Sequence, residues 1–146
     1  MKDPKNALLI DTGFLVALNV SSDKHHQRAR EVGASLKNRH WITTWPVLAE
    51  TCHLLERIEG NFAVNRLLEL CEKGLLDVFL LEISHIPKIK QLMKKYEDLP
   101  MDLADASLVI LAESLNSGEV LSTDQRDFKT YRWKNHSPFK NLLLRC

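Results

Sequence analysis

Cysteine is scarce and scattered. The 146-residue chain holds Cys52, Cys71 and Cys146, an odd set in which no pair has metal-ligand spacing. A zinc site is therefore not expected, and the thiols read as small packed apolar groups. No apolar run is long enough to cross a bilayer. The apolar stretch behind Met1-Lys2-Asp3-Pro4-Lys5-Asn6 is broken by Asp11 and Gly13, which does not make a signal peptide. The expectation is a cytoplasmic protein with no membrane partner. Internal repeats, low-complexity segments and long linkers are also missing. A charge surplus is missing too: 20 basic residues meet 19 acidic ones, for a net charge of +1, so overall charge does not announce a nucleic-acid partner.

The chain is 45% hydrophobic and 27% charged, enough to bury a core and stay dissolved. Its length fits one domain spanning residues 1–146. Charge is uneven within it. From Arg126 onward, Arg126, Lys129, Arg132, Lys134, Lys140 and Arg145 stand against Asp127 alone. This is either a solvated tail or a local surface for phosphates.

Strand and helix signals alternate. Ala7-Leu8-Leu9-Ile10 is a short apolar run ending at Asp11, as in a buried parallel strand. Phe14 to Leu18 starts a helix, and Ser21-Ser22-Asp23 reads as the cap of a polar helix from Lys24 to about Lys37. Trp41-Ile42-Thr43 is a second strand. Pro46 opens a helix that ends at Gly60, and Ala63 to Lys73 forms another, stopped by Gly74. Leu75 to Leu81 is a third strand, and Pro87 to Tyr96 is helical. Pro100 opens a strongly helical stretch to Glu113. Glu119 to Ser122 is a fourth strand, and Asn141 to Leu144 a fifth. The alternation predicts a three-layer α/β/α sandwich with a mostly parallel sheet of four to five strands. Ligands of such sheets bind beyond the carboxyl ends of the strands.

Four acids stand in apolar surroundings. Asp11 follows the first strand, and Asp124 follows the fourth. Glu50 lies among Val47, Leu48, Ala49 and Leu54, and Asp105 among Ala104, Ala106, Leu108 and Val109. A carboxylate there is costly unless paired, hydrogen-bonded or bound to a cation. Any one of them could be a cap or half of an ion pair. Together they suit Mg²⁺ or Mn²⁺, hard ions that take carboxylate oxygens and leave room for substrate phosphate. Asp102 is either a helix-end acid favoured by the macrodipole or a neighbour of the site. Asp127 either extends the site or caps the turn before Phe128.

The ordered set Leu9-Ile10-Asp11-Thr12, Glu50, Met101-Asp102-Leu103-Ala104-Asp105-Ala106 and Ser122-Thr123-Asp124-Gln125-Arg126-Asp127-Phe128 resembles a PIN domain. It is closer still to the VapC-type toxins of prokaryotic toxin–antitoxin pairs. The resemblance runs from Ala7 to about Leu144. It implies a PIN-like sandwich, Mg²⁺ or Mn²⁺ at an acidic pocket, and endonucleolytic cleavage of RNA. Carried over by position, Asp11, Glu50, Asp105 and Asp124 are the catalytic acids, with Asp11, Asp105 and Asp124 holding the metal. Thr12 and Thr123 match hydroxyl residues that orient water or phosphate, with Asp102 and Asp127 alongside. His26 after Asp23 matches a pattern found in many relatives, or is simply an exposed helix histidine. The resemblance also implies a homodimer and a cognate antitoxin protein. Two other readings remain: a non-catalytic RNA-binding or scaffold domain, and a housekeeping nuclease without an antitoxin. A haloacid-dehalogenase-like phosphotransfer site would need a second Asp two residues after the first, where this chain has Gly13.

Overall fold

A computed structural model describes residues 4–144; Met1, Lys2, Asp3, Arg145 and Cys146 lie outside the described residues. The chain runs β1 (Ala7–Ile10), α1 (Thr12–Asn19), α2 (His26–Ser35), β2 (His40–Thr44), α3 (Trp45–Glu59), α4 (Asn61–Glu72), β3 (Asp77–Phe79), α5 (Ile86–Lys95), α6 (Leu103–Leu115), β4 (Glu119–Leu121) and α7 (Gln125–Thr130). It closes with β5 (Arg132–Trp133), β6 (Ser137–Pro138) and β7 (Lys140–Asn141).

The main sheet has five strands in the order β3-β2-β1-β4-β7, each neighbouring pair parallel. Helices flank it, giving the three-layer α/β/α architecture that the alternation predicts. All four residues of β1 are fully buried, as a central parallel strand covered on both faces must be. Connections from β1 lead away to β2 and β3, while β4 and β7 fill its other side. The strand order therefore reverses between β1 and β4, and a crevice opens beyond their carboxyl ends. Leu9 faces Val120 and Ile10 faces Leu121 across this junction. The Asp11 amide extends the ladder by donating to the Leu121 carbonyl at 3.1 Å. Helix α6 is apolar on most sides, with Ala106, Leu108, Val109, Leu111 and Ala112 fully buried, as befits a helix inside the core.

Several boundaries differ from the sequence expectation. Helix α2 starts at His26, not Lys24. Asp23 does not cap it; its carboxylate accepts from the His25 amide at 2.8 Å in a local turn, the alternative use of Asp that competes with capping. Strand β3 is shorter than Leu75–Leu81, because Leu75 and Leu80 are 61% and 67% exposed and fall outside it. The six-residue α7 and the small antiparallel β5–β6 hairpin have too few residues to show a period. Strand β7 is shorter than the expected Asn141–Leu144: the Leu142 amide still donates to the Val120 carbonyl at 2.9 Å, and the Asn141 side chain then takes over the pairing with Ser122. The Asn141 amide nitrogen donates to the Ser122 carbonyl at 2.8 Å, and its oxygen accepts from the Ser122 amide at 3.2 Å.

Candidate active site

Asp11 ends β1 and caps α1. One carboxylate oxygen accepts from the Thr12 amide at 2.8 Å, and the other from the Ser122 hydroxyl at 2.7 Å. Ser122 is itself held by the Asn141 side chain at the end of β4, and its hydroxyl accepts from the Asp124 amide at 2.9 Å. The ends of β1 and β4 are thus joined through one serine. Asp124 caps α7 by accepting from the Asp127 amide at 3.2 Å.

Asp105 and Asp102 form a reciprocal capping box at the start of α6. Asp102 accepts from the Asp105 amide at 2.8 Å, and Asp105 from the Asp102 amide at 3.4 Å. This satisfies two of the helix's orphan donors. The Tyr131 hydroxyl also donates to Asp105, at 3.2 Å. Glu50, in the second turn of α3, is solvent-exposed, which corrects the expectation of an apolar setting. Its apolar neighbours Val47 and Leu48 turn inward while Glu50 turns out. Asp127 is buried and pairs with Arg126 at 3.3 Å.

The hydroxyls of the resemblance are used differently. The Thr12 hydroxyl donates to the Val47 carbonyl at 3.5 Å, tying α1 to α3. Thr123 packs against the backbone of Gly13, where an added Cβ would lie 1.8 Å from its Oγ1. Ser122 makes the contact with an acid. Neither Ser122 nor Tyr131 was singled out by the sequence. A strand-end hydroxyl after an apolar run was the one available signal for Ser122, and its neighbour Thr123 drew it.

The acids act on one another. Burial pushes the Asp11 carboxyl up to about 6; its bonds to Ser122 and Thr12 oppose this, and the charges of Asp124 and Glu50 add to it. Burial first, then the charges of Asp102 and Asp11, push Asp105 up to about 8 against the bonds from Asp102 and Tyr131. Asp124 is raised by burial and by Asp127, and Arg126 offsets part of the rise. Burial and the Asp105 charge raise the Tyr131 phenol. Asp11, Glu50, Asp105, Asp124, Asp102 and Asp127 therefore share one electrostatic neighbourhood at the β1–β4 crevice.

Among the described residues, no group of three or more His, Cys, Asp or Glu side chains is arranged to hold a metal ion. The reason is visible in the contacts: Asp11, Asp105 and Asp124 each turn toward backbone amides and hydroxyls. The donor chemistry nonetheless fits a hard divalent cation, since every candidate ligand is a carboxylate oxygen. Burial is the largest cause of the rise of the Asp11 and Asp105 carboxyls to about 6 and about 8, and the charges of neighbouring acids add to it.

The basic tail behaves less simply. Arg132 donates to the carbonyls of Lys129, Thr130 and Tyr131, Lys134 to Asn116, and Arg126 to Asp127.

No family model matches the chain. It is 25% identical over 125 residues to Ribonuclease VapC26 of Mycobacterium tuberculosis, covering 86% of this chain and 92% of that protein. Its fold matches the crystal structure of Mycobacterium tuberculosis VapC20, a Sarcin-Ricin loop cleaving toxin, with a TM-score of 0.74 and 19% identity over 82% of this chain and 91% of that one.

Proposed function

We propose that the chain is a PIN-domain protein of the VapC type, an Mg²⁺- or Mn²⁺-dependent endoribonuclease and the toxin of a toxin–antitoxin pair. The observation that carries this reading is the set of carboxylates at the β1–β4 crevice held by neutral donors, Asp11 by Ser122 and Thr12 and Asp105 by Tyr131, with burial raising both to about 6 and about 8. An acid whose pKa rises on folding destabilises the fold at neutral pH. A scaffold domain keeping these acids for stability would show the opposite shift, so the cost argues for use.

Asp11, Asp105 and Asp124 would hold the cation. When bound, it would lower the pKa of a water, polarise the phosphodiester and stabilise the leaving oxygen. Ser122 and the Thr12 amide fix the Asp11 carboxylate, and Tyr131 fixes that of Asp105. Glu50 is exposed and makes no hydrogen bond or ion pair among the described residues. In this reading Glu50 would take the proton of an attacking water as the P–O bond forms. The bond to the leaving oxygen then breaks, and that oxygen is protonated from solvent.

The partners follow from the same reading: an RNA substrate, a cognate antitoxin and a second copy of the chain. Exposed Ile58, Phe62 and Leu68 on the α3–α4 hairpin leave apolar surface for a protein partner. Among the described residues, no helix is long and apolar enough to cross a membrane. The test is cleavage of RNA with Mg²⁺ by the wild type, Asp11→Asn and Asp105→Asn. Each substitution should lower the rate by about a hundredfold or more, in line with the loss of a preorganised electrostatic group. Equal rates in all three would overturn the assignment.

A further inference from the structure

A second polar cavity, of about 390 Å³, lies at the tips of the two helical hairpins and is lined by Asn19, His26, Arg30, Glu59 and Arg66. Helix α1 leads to it from the acidic crevice: Asp11 caps its start and Asn19 ends it. Eight residues at 1.5 Å each set the two places about 12 Å apart. Helix α3 makes the same passage, from Glu50 in its second turn to Glu59 at its end.

Asn19 and His26 are held in the cavity by hydrogen bonds, while Arg30, Glu59 and Arg66 are exposed at its rim. The Asn19 amide donates to the Leu15 carbonyl at 2.7 Å, and its oxygen accepts from Arg66 at 3.4 Å. His26 Nδ1 is 2.7 Å from the Ala17 carbonyl, so that nitrogen carries the proton and Nε2 is left for the cavity. Arg30 makes no hydrogen bond or ion pair among the described residues, and Glu59 pairs with neither arginine. The ends of α1 and α3 meet the starts of α2 and α4 here, so the helix dipoles offset one another. The side chains then set the sign: two guanidinium groups and one carboxylate leave room for a single negative charge. Leu18 is the one apolar lining residue, which suits a solvated anion rather than an apolar anchor.

We propose that this cavity is a phosphate subsite, in which Arg30 and Arg66 grip one phosphodiester of the RNA strand whose scissile bond lies at the acidic crevice. This rests on the ribonuclease reading above. Such a contact supplies affinity and register without base choice. It also answers a physical need, because a crevice of carboxylates repels RNA and the strand must be held from elsewhere.

The experiment measures binding of a fluorescently labelled single-stranded RNA of mixed sequence in EDTA, with every protein in an Asp11→Asn background to prevent cleavage. Arg30→Gln with Arg66→Gln should weaken binding about tenfold at moderate salt and lower the slope of log Kd against log salt by about 0.7, the loss of one phosphate contact. Glu59→Gln should tighten binding, a change of opposite sign that misfolding cannot produce. If the Asp11-intact protein cleaves RNA with Mg²⁺ and the Asp11→Asn proteins bind it, but the arginine pair leaves affinity and slope unchanged, the subsite is refuted and the ribonuclease reading stands. If calorimetry shows tight inorganic phosphate binding that depends on both arginines while RNA affinity does not, the cavity serves a free anion and the proposal fails. If the Asp11-intact protein cleaves no RNA with Mg²⁺, the ribonuclease reading falls and the subsite falls with it.

Discussion

Replacing Asp11 by Asn should make the metal-free protein more stable while ending its activity. The Asp11 carboxyl moves from 3.8 to about 6 on folding. A folded state that binds its proton more tightly than the unfolded state loses stability as pH rises between those two values. Below about pH 4 both states are protonated and the cost is absent; above about pH 6 it is fully present. Two pKa units at 1.36 kcal/mol each make it about 3 kcal/mol. Asn keeps the shape: its oxygen can accept from the Thr12 amide, and its NH₂ can donate to the Ser122 hydroxyl. The serine proton then needs a new partner, which returns about 1 kcal/mol. A net gain of about 2 kcal/mol should raise the urea midpoint by about 1 M at pH 8 in EDTA, for a slope near 2 kcal/mol/M. At pH 4 the gain should vanish. Mg²⁺ should then stabilise the wild type in proportion to its occupancy and the variant far less. A variant less stable than wild type at pH 8, or a difference that ignores pH, would refute the reasoning.

Other outcomes follow from the same contacts. Wild-type stability in EDTA should keep falling from pH 6 to pH 8 as the folded Asp105 gives up its proton near 8; urea melts of Asp105→Asn should lack that segment. Ser122→Ala removes the hydroxyl donor to Asp11 and should cost about 2 kcal/mol at pH 8, the loss of a bond to a charged group, read by the same melts. Gly13→Ala places a Cβ 1.8 Å from Thr123 Oγ1; the strain should cost about 1–3 kcal/mol and be largely relieved by a second change, Thr123→Ala. Chelation should abolish RNA cleavage, and Mg²⁺ or Mn²⁺ should restore it where Ca²⁺ does not, since Ca²⁺ takes more ligands at longer distance.

The layers, the parallel sheet and the acids at its strand ends were legible because each breaks a local rule or obeys one strictly. Asp11 is visible because nothing charged should follow a fully buried strand, and Asp105 because it interrupts an otherwise apolar helix face. The supporting residues break no local rule. Ser122 reaches Asp11 across 111 positions, and Tyr131 reaches Asp105 across 26. Neither is unusual until the sheet is assembled. Context also decided Glu50, whose apolar neighbours on the chain are not its neighbours in space. Counting charges along the basic tail also leaves out local bonds, which Arg126, Arg132 and Lys134 make to nearby backbone and side chains. Arg30 and Arg66 sit far apart in sequence and gain meaning only when two hairpin tips meet.

The donors around the acids bear directly on what the crevice is for. A carboxylate kept for structure is normally paired with Arg or Lys, which lowers its pKa and neutralises the site. Among the described residues, Asp11, Asp105 and Asp124 form no ion pair with a basic side chain. Their partners are neutral: the Thr12 amide, the Ser122 and Tyr131 hydroxyls and capping amides. Neutral donors fix the direction of a carboxylate but leave its charge uncancelled. The fold bears that repulsion at the switch point of its sheet, and Arg30 and Arg66 at the hairpin tips stand about 12 Å away by the rise of α1. An arginine placed against Asp11 would stabilise the chain and close the crevice to a divalent cation, whereas the neutral donors that hold Asp11 and Asp105 leave room for the one proposed.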